Sequence, residues 1–234
     1  KLKMIITVEE IFGWSASCFS ILTYIFIMKE TISEFRIQGK YKTIPKFIRI
    51  ENIMNYFVCS NWLIYTFIFN IKHLFFCNLI GTIIYFLWII FIYLIYFRKI
   101  NCIKYLIFIL LAIIYIPGIY SLFQYWKKIG APICSAFHII SFYTSILLIK
   151  EIITTKDYKI IKINICILSL FGHFCWFIYG FIIINLFIVI PHVFGFIIIF
   201  INSFFWNTYK KKYNMERLGN RSVDIMRNKN EVAI

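Results

Sequence analysis

The sequence predicts an all-α integral membrane protein in which seven transmembrane helices form two parallel three-helix repeats joined by a linker helix. Three observations support this: an excess of apolar residues, their division into spans of membrane-crossing length, and a residue pattern that recurs 114 positions along the chain. The 234 residues are 62% hydrophobic and 15% charged, with a mean hydropathy of +0.82. A soluble domain is nearer half apolar and a quarter charged, and one core could not bury this excess.

The apolar residues fall into spans long enough to cross a bilayer. A helix needs about 20 apolar residues to cross the hydrocarbon core. Clusters of Lys, Arg, Asn and Gly separate seven such segments, which are residues 9–28, 49–69, 74–97, 102–124, 131–150, 160–182 and 184–206. The polar break between the last two segments is the shortest and consists of Asn185. Seven helices are therefore predicted.

Basic residues indicate the orientation of these helices, because cytoplasmic loops carry an excess of Lys and Arg. With the N-terminus outside, 20 of the 25 Lys and Arg residues fall on the inner side. We therefore expect a multi-pass protein of the plasma membrane or an internal membrane, with its C-terminus in the cytoplasm. The basic tail at 210–234 is compatible with a solvated segment or with binding to anionic lipid headgroups.

Composition and motifs argue against several other functions. The net charge is +15, but the basic residues are not spread over a soluble face, so nucleic acid is not an expected partner. Seven cysteines without a CxxC spacing predict neither a disulfide framework nor a metal site, and no cofactor is expected. The sequence shows no nucleophile–base motif, phosphate loop or HExxH motif, so we do not expect an enzyme.

Two parts of the chain share a pattern at one offset. Trp, Tyr, a polar residue and Gly recur 114 residues apart, as Trp62 and Trp176, Tyr65 and Tyr179, Asn78 and His192, and Gly81 and Gly195. Each copy holds three helices, so a fourth crossing is needed before the second copy can start from the same side. We predict parallel repeats at 9–97 and 131–209, a linker helix at 98–130 and a tail at 210–234, with a site between the repeats near the midplane.

The closest family resemblance lies in the last two helices. Phe174-Cys-Trp-Phe-Ile-Tyr-Gly180 followed by Ile188-Val-Ile-Pro-His-Val-Phe-Gly195 resembles helices six and seven of the SWEET sugar-transporter family, whose pattern is CW-x-x-YG and then IPN-x-x-G. The first half is similar through Trp62-x-x-Tyr65 and Asn78-x-x-Gly81. The resemblance covers residues 9–209 and implies a uniporter that moves mono- or disaccharides, most simply a hexose such as glucose, by alternating access.

The resemblance also implies a substrate site. In the family each half supplies an Asn and a Trp, which corresponds here to Asn78, His192, Trp62 and Trp176. Asn and His supply donors and acceptors for sugar hydroxyls, and aromatic rings pack on the apolar face of a sugar. At His192 the chain departs from the family, which has Asn at that position.

Further side chains in the spans bear on the site and on coupling. His173 precedes Trp176 by three residues, as Cys59 precedes Trp62, so Cys59 and His173 are expected to line the same cavity. His73 lies in a turn and is expected to be solvated. Glu51 is the one acid placed within a span, which favours transport without proton coupling.

A second departure concerns the prolines that act as hinges in helices one, two, five and six of the family. The corresponding positions lie near Ile21, Glu51, Ser145 and Lys162, and none of them is proline. The hinge mechanism that the resemblance implies is therefore in question, although two rigid halves can still rock.

Other functions remain open at this point. The chain is alternatively a carrier of another small solute on the same fold, or a non-transporting membrane protein that acts through partners. A seven-helix receptor fits less well, because an acidic-Arg-Tyr triplet after helix three and an NPxxY motif in helix seven are absent. The expected partners are a small-molecule sugar and the lipid bilayer, and the resemblance suggests a homo-oligomer.

Overall fold

A computed structural model describes residues 2–38, 46–96, 102–125 and 127–232. The helices are α1 (Leu2–Gln38), α2 (Lys46–Ile68), α3 (Lys72–Tyr96), α4 (Cys102–Tyr125), α5 (Gly130–Ser141), α6 (Tyr143–Thr155), α7 (Ile163–Ile182) and α8 (Leu186–Val232). Short 3-10 turns at Lys127–Ile129 and Tyr158–Ile160 precede α5 and α7. The described residues contain no β-strand, and the all-helical prediction is confirmed.

The predicted spans correspond to these helices, with differences at the ends. The break at Asn185 is observed, since α7 ends at Ile182 and α8 begins at Leu186. The last helix does not end near residue 206 but continues to Val232, through a segment rich in Lys and Arg, which are good helix formers. The break predicted at 98–101 lies outside the described residues.

The fifth predicted span is divided at Phe142 into α5 and α6. Two hydroxyl groups bond back to carbonyl oxygens there: Ser141 Oγ donates to His138 O at 2.6 Å, and Thr144 Oγ1 donates to Ser141 O at 2.7 Å. Such bonds compete with the bonds of the helix itself and bend it. The turn therefore forms without the proline that the resemblance implies near Ser145.

Much of the helical surface is suited to lipid. Five helical stretches are long and apolar enough to cross a membrane, and they are Val8–Ser33, Lys72–Phe91, Gly130–Thr155, Ile163–Ile182 and Leu186–Met215. On α4, Leu110, Leu111, Ile113 and Ile114 are each more than half exposed, which is unfavourable in water. The helix α2 is not among these five stretches. It is less apolar than they are because it carries polar side chains such as Asn52, Ser60 and Asn61, all of which are buried.

The helices pack as two groups with the same internal order. In the first group α3 packs against both α1 and α2, and in the second α8 packs against both α5 and α7. Between the groups α1 packs along α7 and α2 packs against α5, while α4 lies on α2. Each group thus places its first helix against the second helix of the other group. This is the contact pattern of two similar units related by an axis along the membrane normal.

The turns that follow α2 and α7 have the same backbone geometry. Asn70 and Ile184, which are 114 residues apart in the sequence, both have left-handed backbones with φ of 56° and 55°. In each turn the next amide donates to the carbonyl five residues before it, at 3.0 Å in the first and 2.8 Å in the second. This hydrogen bond is common at the ends of helices. The 114-residue repeat of the sequence is therefore also present in the backbone of the two turns.

The central core lies between the two groups at the end of the bundle where α2 ends and α8 begins. Trp62 and Tyr65 from the first group are buried there with Trp176 and Tyr179 from the second, and Phe123 of α4 packs beside them. This layer closes the space between the groups at one end.

Candidate functional site

A cavity of about 680 Å³ lies between the two helix groups. Its inner end is lined by Trp62 and Asn78 from the first group and by Trp176 and His192 from the second. The fold thus brings together the four residues that the resemblance implies for substrate binding, two from each repeat. Their part in binding stays a prediction.

The other end of the cavity is its mouth, and charged residues surround it. The acids Glu30, Glu51, Glu151 and Asp157 line it together with Lys159 and Lys162. Glu30 Oε2 and Lys162 Nζ form an ion pair of 3.8 Å that joins α1 to the start of α7. The sequence placed one acid within a span, whereas the fold brings four carboxylates to the mouth, because the ends of α1, α2, α6 and the α6–α7 connection meet there.

Aromatic side chains seal the inner end. The ring of His73 packs edge-on against Tyr179, with 4.7 Å between ring centres, and so joins the start of α3 to α7. A side chain at Gly13 would clash with the His73 ring, so the absence of a Cβ there lets α1 approach. The expectation that His73 is solvated is wrong: it is 8% exposed, because α1 and α7 cover the turn in which it lies.

Asn78 is held by its own helix. Its Nδ2 donates to Leu74 O at 2.7 Å, one turn earlier, and Thr82 Oγ1 donates to Asn78 O at 2.7 Å. One of the two N–H groups of the Asn78 amide is therefore engaged within α3. Its other N–H and its Oδ1 remain to donate to and accept from a molecule in the cavity.

His192 is held by two neighbours from α7. Its Nδ1 lies 2.8 Å from Nδ1 of His173, a hydrogen-bond distance. Its ring also stacks on Trp176, with 6.1 Å between ring centres and 14° between ring planes. These contacts fix the position and plane of the His192 ring at the inner end of the cavity.

The two tryptophans belong to the protein interior and not to the membrane interface. Trp62 and Trp176 are 6% and 5% exposed, and Trp176 Nε1 donates to Ser20 Oγ of α1 at 3.0 Å. A buried indole N–H needs such a partner. This bond ties the second helix group to the first beside the cavity.

Cys59 and His173 both lie in the cavity lining. Each lies against the glycine of its own repeat: a Cβ at Gly81 would be 2.7 Å from Cys59 Sγ, and one at Gly195 would be 2.6 Å from His173 Nδ1. Small residues allow membrane helices to approach closely. The two glycines therefore set equivalent contacts between α2 and α3 and between α7 and α8.

His138 of α5, which the sequence offers only as a weaker candidate, also lines the cavity. Its ring lies edge-on to His192, with 5.3 Å between ring centres and 87° between planes. The repeat indicates that the two positions are equivalent, since His138 lies 114 residues after Tyr24, which also lines the cavity. In the described part of the chain no group of three His, Cys, Asp or Glu side chains is arranged to hold a metal ion.

Two comparisons bear on the family of the chain. Residues 129–214 match the family model described as "Sugar efflux transporter for intercellular exchange". The fold is similar to the structure of a eukaryotic SWEET transporter, with a TM-score of 0.74 and 11% sequence identity over 89% of this chain and 99% of that chain. The first finding shows that the second half of the chain resembles this family, and the second shows a common fold. No curated protein matches the chain significantly.

The two findings cover different parts of the chain. The family model matches only the second half of the sequence, where the motifs of α7 and α8 lie. The structural similarity extends over both halves and concerns the fold. The description of the matching family names sugar transport.

Proposed function

We propose that this protein is a member of the SWEET family and acts as a uniporter that moves a hexose such as glucose down its gradient by alternating access. The moving units are the repeats at 9–97 and 131–209, which the helix at 98–130 links, and the tail at 210–234 lies at the cytoplasmic surface. With the N-terminus outside, the cavity mouth faces the cytoplasm. The structure then corresponds to the inward-open state of the carrier.

The shape of the cavity carries this proposal. Polar and aromatic residues from both repeats line one space that is open at the charged mouth and sealed at the layer of Tyr65, His73 and Tyr179. A carrier that works by alternating access needs one site between two units, with a closed gate on one side. A pore would be open at both ends.

The chemistry of the inner end suits a neutral polyol. Asn78 Oδ1 is available to accept a hydrogen bond from a hydroxyl group, and His192 presents a ring nitrogen. Apolar surface is supplied by Trp62 and Trp176. The carboxylates that line the cavity lie at the mouth and not beside these residues. A site without an acid beside the substrate supports movement of the sugar without a coupled proton.

The turn at Phe142 offers a hinge in place of proline. Ser141 and Thr144 bond to carbonyl oxygens where the fifth span is interrupted, and a span whose helical bonding is interrupted can change its angle at low cost. The mouth is lined by residues of α6, including Ser145 and Leu148. A change of angle at the turn would therefore move one side of the mouth.

The test is radiolabelled glucose uptake into proteoliposomes without an ion gradient. The wild type should show saturable flux in both directions. Asn78→Ala should lower the uptake by about five- to 150-fold, because a lost hydrogen bond in a closed site costs about 1–3 kcal/mol and about 1.4 kcal/mol is a factor of ten. Asn207→Ala removes an exposed amide of α8 outside the cavity and should leave the uptake unchanged.

Two results would contradict the proposal in different ways. If glucose, fructose and sucrose all fail to move, although the purified protein melts cooperatively, the protein carries another solute or does not transport. If an imposed proton or sodium gradient drives glucose to a higher concentration inside the vesicles than outside, the protein is a coupled carrier and not a uniporter.

A further inference from the structure

The cavity has two walls, one formed by each repeat, and these walls differ at three equivalent positions. At an offset of 114 residues, Tyr24, Cys59 and Asn78 of the first repeat correspond to His138, His173 and His192 of the second, and all six line the cavity. The second wall thus carries three imidazole rings from three helices. Their ring centres are 5.1 Å, 5.3 Å and 6.4 Å apart.

The hydrogen bond between two of these rings limits what His192 can offer a substrate. In a bond between Nδ1 of His173 and Nδ1 of His192, one neutral ring donates and the other accepts. Nδ1 of His192 is then occupied, and only Nε2 remains. An asparagine at 192 would present both a carbonyl oxygen and an amide group, so the histidine leaves the second wall one hydrogen-bonding group short.

His138 is placed to supply the missing group. Its ring stands edge-on to His192 at 5.3 Å and is stacked on Phe142, with 5.5 Å between centres and 26° between planes. A hydroxyl group both donates and accepts, and at a hydrogen-bond distance of about 2.8 Å it can bridge one nitrogen of each ring. The turn beside Ser141, whose hydroxyl bonds to His138 O, holds the backbone of His138 in place.

The first wall does not show the same arrangement. The hydroxyl of Tyr24, which is equivalent to His138, lies 3.9 Å from Cys59 Sγ and 4.0 Å from Cys77 Sγ. Tyr24 is thus engaged with thiols of its own repeat, and Asn78 keeps its carbonyl oxygen and one N–H for the cavity. The additional contact is needed on the histidine side alone.

We propose that His138 is a third hydrogen-bonding residue for the sugar, which together with His192 binds the hydroxyl that a single amide at position 192 would bind. His173 acts as a positioning residue, because it holds Nδ1 of His192 and directs Nε2 to the substrate. This inference rests on the proposed sugar transport and specifies which side chains of the same site select the substrate.

The test is a double-mutant cycle measured by uptake in proteoliposomes. His138→Ala should raise the KM for glucose about tenfold with a smaller change in kcat. In the His192→Asn background the same substitution should change KM less than twofold, because the amide supplies both groups. His138→Gln keeps a donor and an acceptor and should restore most of the affinity. Ile146→Ala, which changes an exposed residue of the fifth span outside the cavity, is the matched control and should leave KM unchanged.

Deoxyglucose analogues identify the hydroxyl. For one of the 2-, 3-, 4- and 6-deoxy sugars, the wild-type KM should already be raised and His138→Ala should add nothing. An equal effect of His138→Ala in both backgrounds, on every analogue, would assign the residue a structural role and overturn the inference. Unchanged glucose uptake in His138→Ala would also overturn it while leaving sugar transport established. A wild type that moves none of these sugars would overturn both proposals.

Discussion

Gly195 marks the place where α8 passes closest to the ring of His173. A Cβ at this position would lie 2.6 Å from both Nδ1 and Nε2 of that ring, whereas optimal contacts between carbon atoms are about 3.5–4.0 Å. We predict that Gly195→Ala pushes the ring away by about 1 Å. A shift of this size would break the 2.8 Å bond to His192, because hydrogen bonds weaken beyond about 3.2 Å.

The magnitude follows from three contributions. Overpacking costs about 1–3 kcal/mol, and the lost hydrogen bond costs about 0.5–1.5 kcal/mol. The replacement of Gly by Ala within a helix stabilises the folded state by about 0.5–1 kcal/mol. The expected net loss in the free energy of unfolding is about 2 kcal/mol, which lowers the melting temperature of a chain of this length by about 4–8 °C.

The assay is thermal unfolding in detergent, together with the KM for glucose. Gly118→Ala is the matched control: a Cβ at Gly118 would meet no atom within 4 Å, so its melting temperature should stay the same or rise slightly. The decisive variant is His173→Ala combined with Gly195→Ala, in which the obstructing ring is gone and the glycine substitution should no longer destabilise. If Gly195→Ala lowers the melting temperature equally with and without the His173 ring, the reasoning is refuted.

Three further predictions follow from the backbone and the mouth. Ile184 has a left-handed backbone with φ of 55° and an exposed side chain, so Ile184→Asn should raise the free energy of unfolding by about 1 kcal/mol, and an unchanged melting curve would contradict this. Ser141→Ala combined with Thr144→Val removes the bonds at the turn and should slow glucose exchange severalfold with little change in KM; a wild-type rate would show that the turn is not a hinge. Glu30→Gln breaks the ion pair between Glu30 and Lys162, whose side chains are 41% and 34% exposed, respectively. The melting temperature should therefore stay within about 2 °C of the wild-type value, and a larger decrease would mean that the pair stabilises the fold.

The helical architecture was predictable because its signals are local. The length and apolarity of each segment determine which parts of the chain cross the membrane, and the pattern shared by Trp62 and Trp176 reveals the repeat without any knowledge of contacts. The turn at Asn185 follows in the same way, since a short polar break between two apolar runs ends one helix and begins the next. The family match and the fold agree with these predictions.

The details of the site depended on tertiary structure. His73 is buried because α1 and α7 cover it, and the sequence around a turn does not show which helices will pack over it. The bend at Phe142 arises from hydroxyl groups of Ser141 and Thr144, and such residues also occur in straight helices, so their presence alone does not predict a bend.

The sequence by itself determined that lipid is the main solvent of this protein, that its fold is helical and that its two halves are equivalent, because composition and spacing record these properties along the chain. Only the tertiary structure decided which side chains meet at the inner end of the cavity, including the approach of His138 to His192. A helix that is apolar on most sides carries no periodic signal for the face that points inward. That face is set by the packing of the helix against its neighbours from both halves.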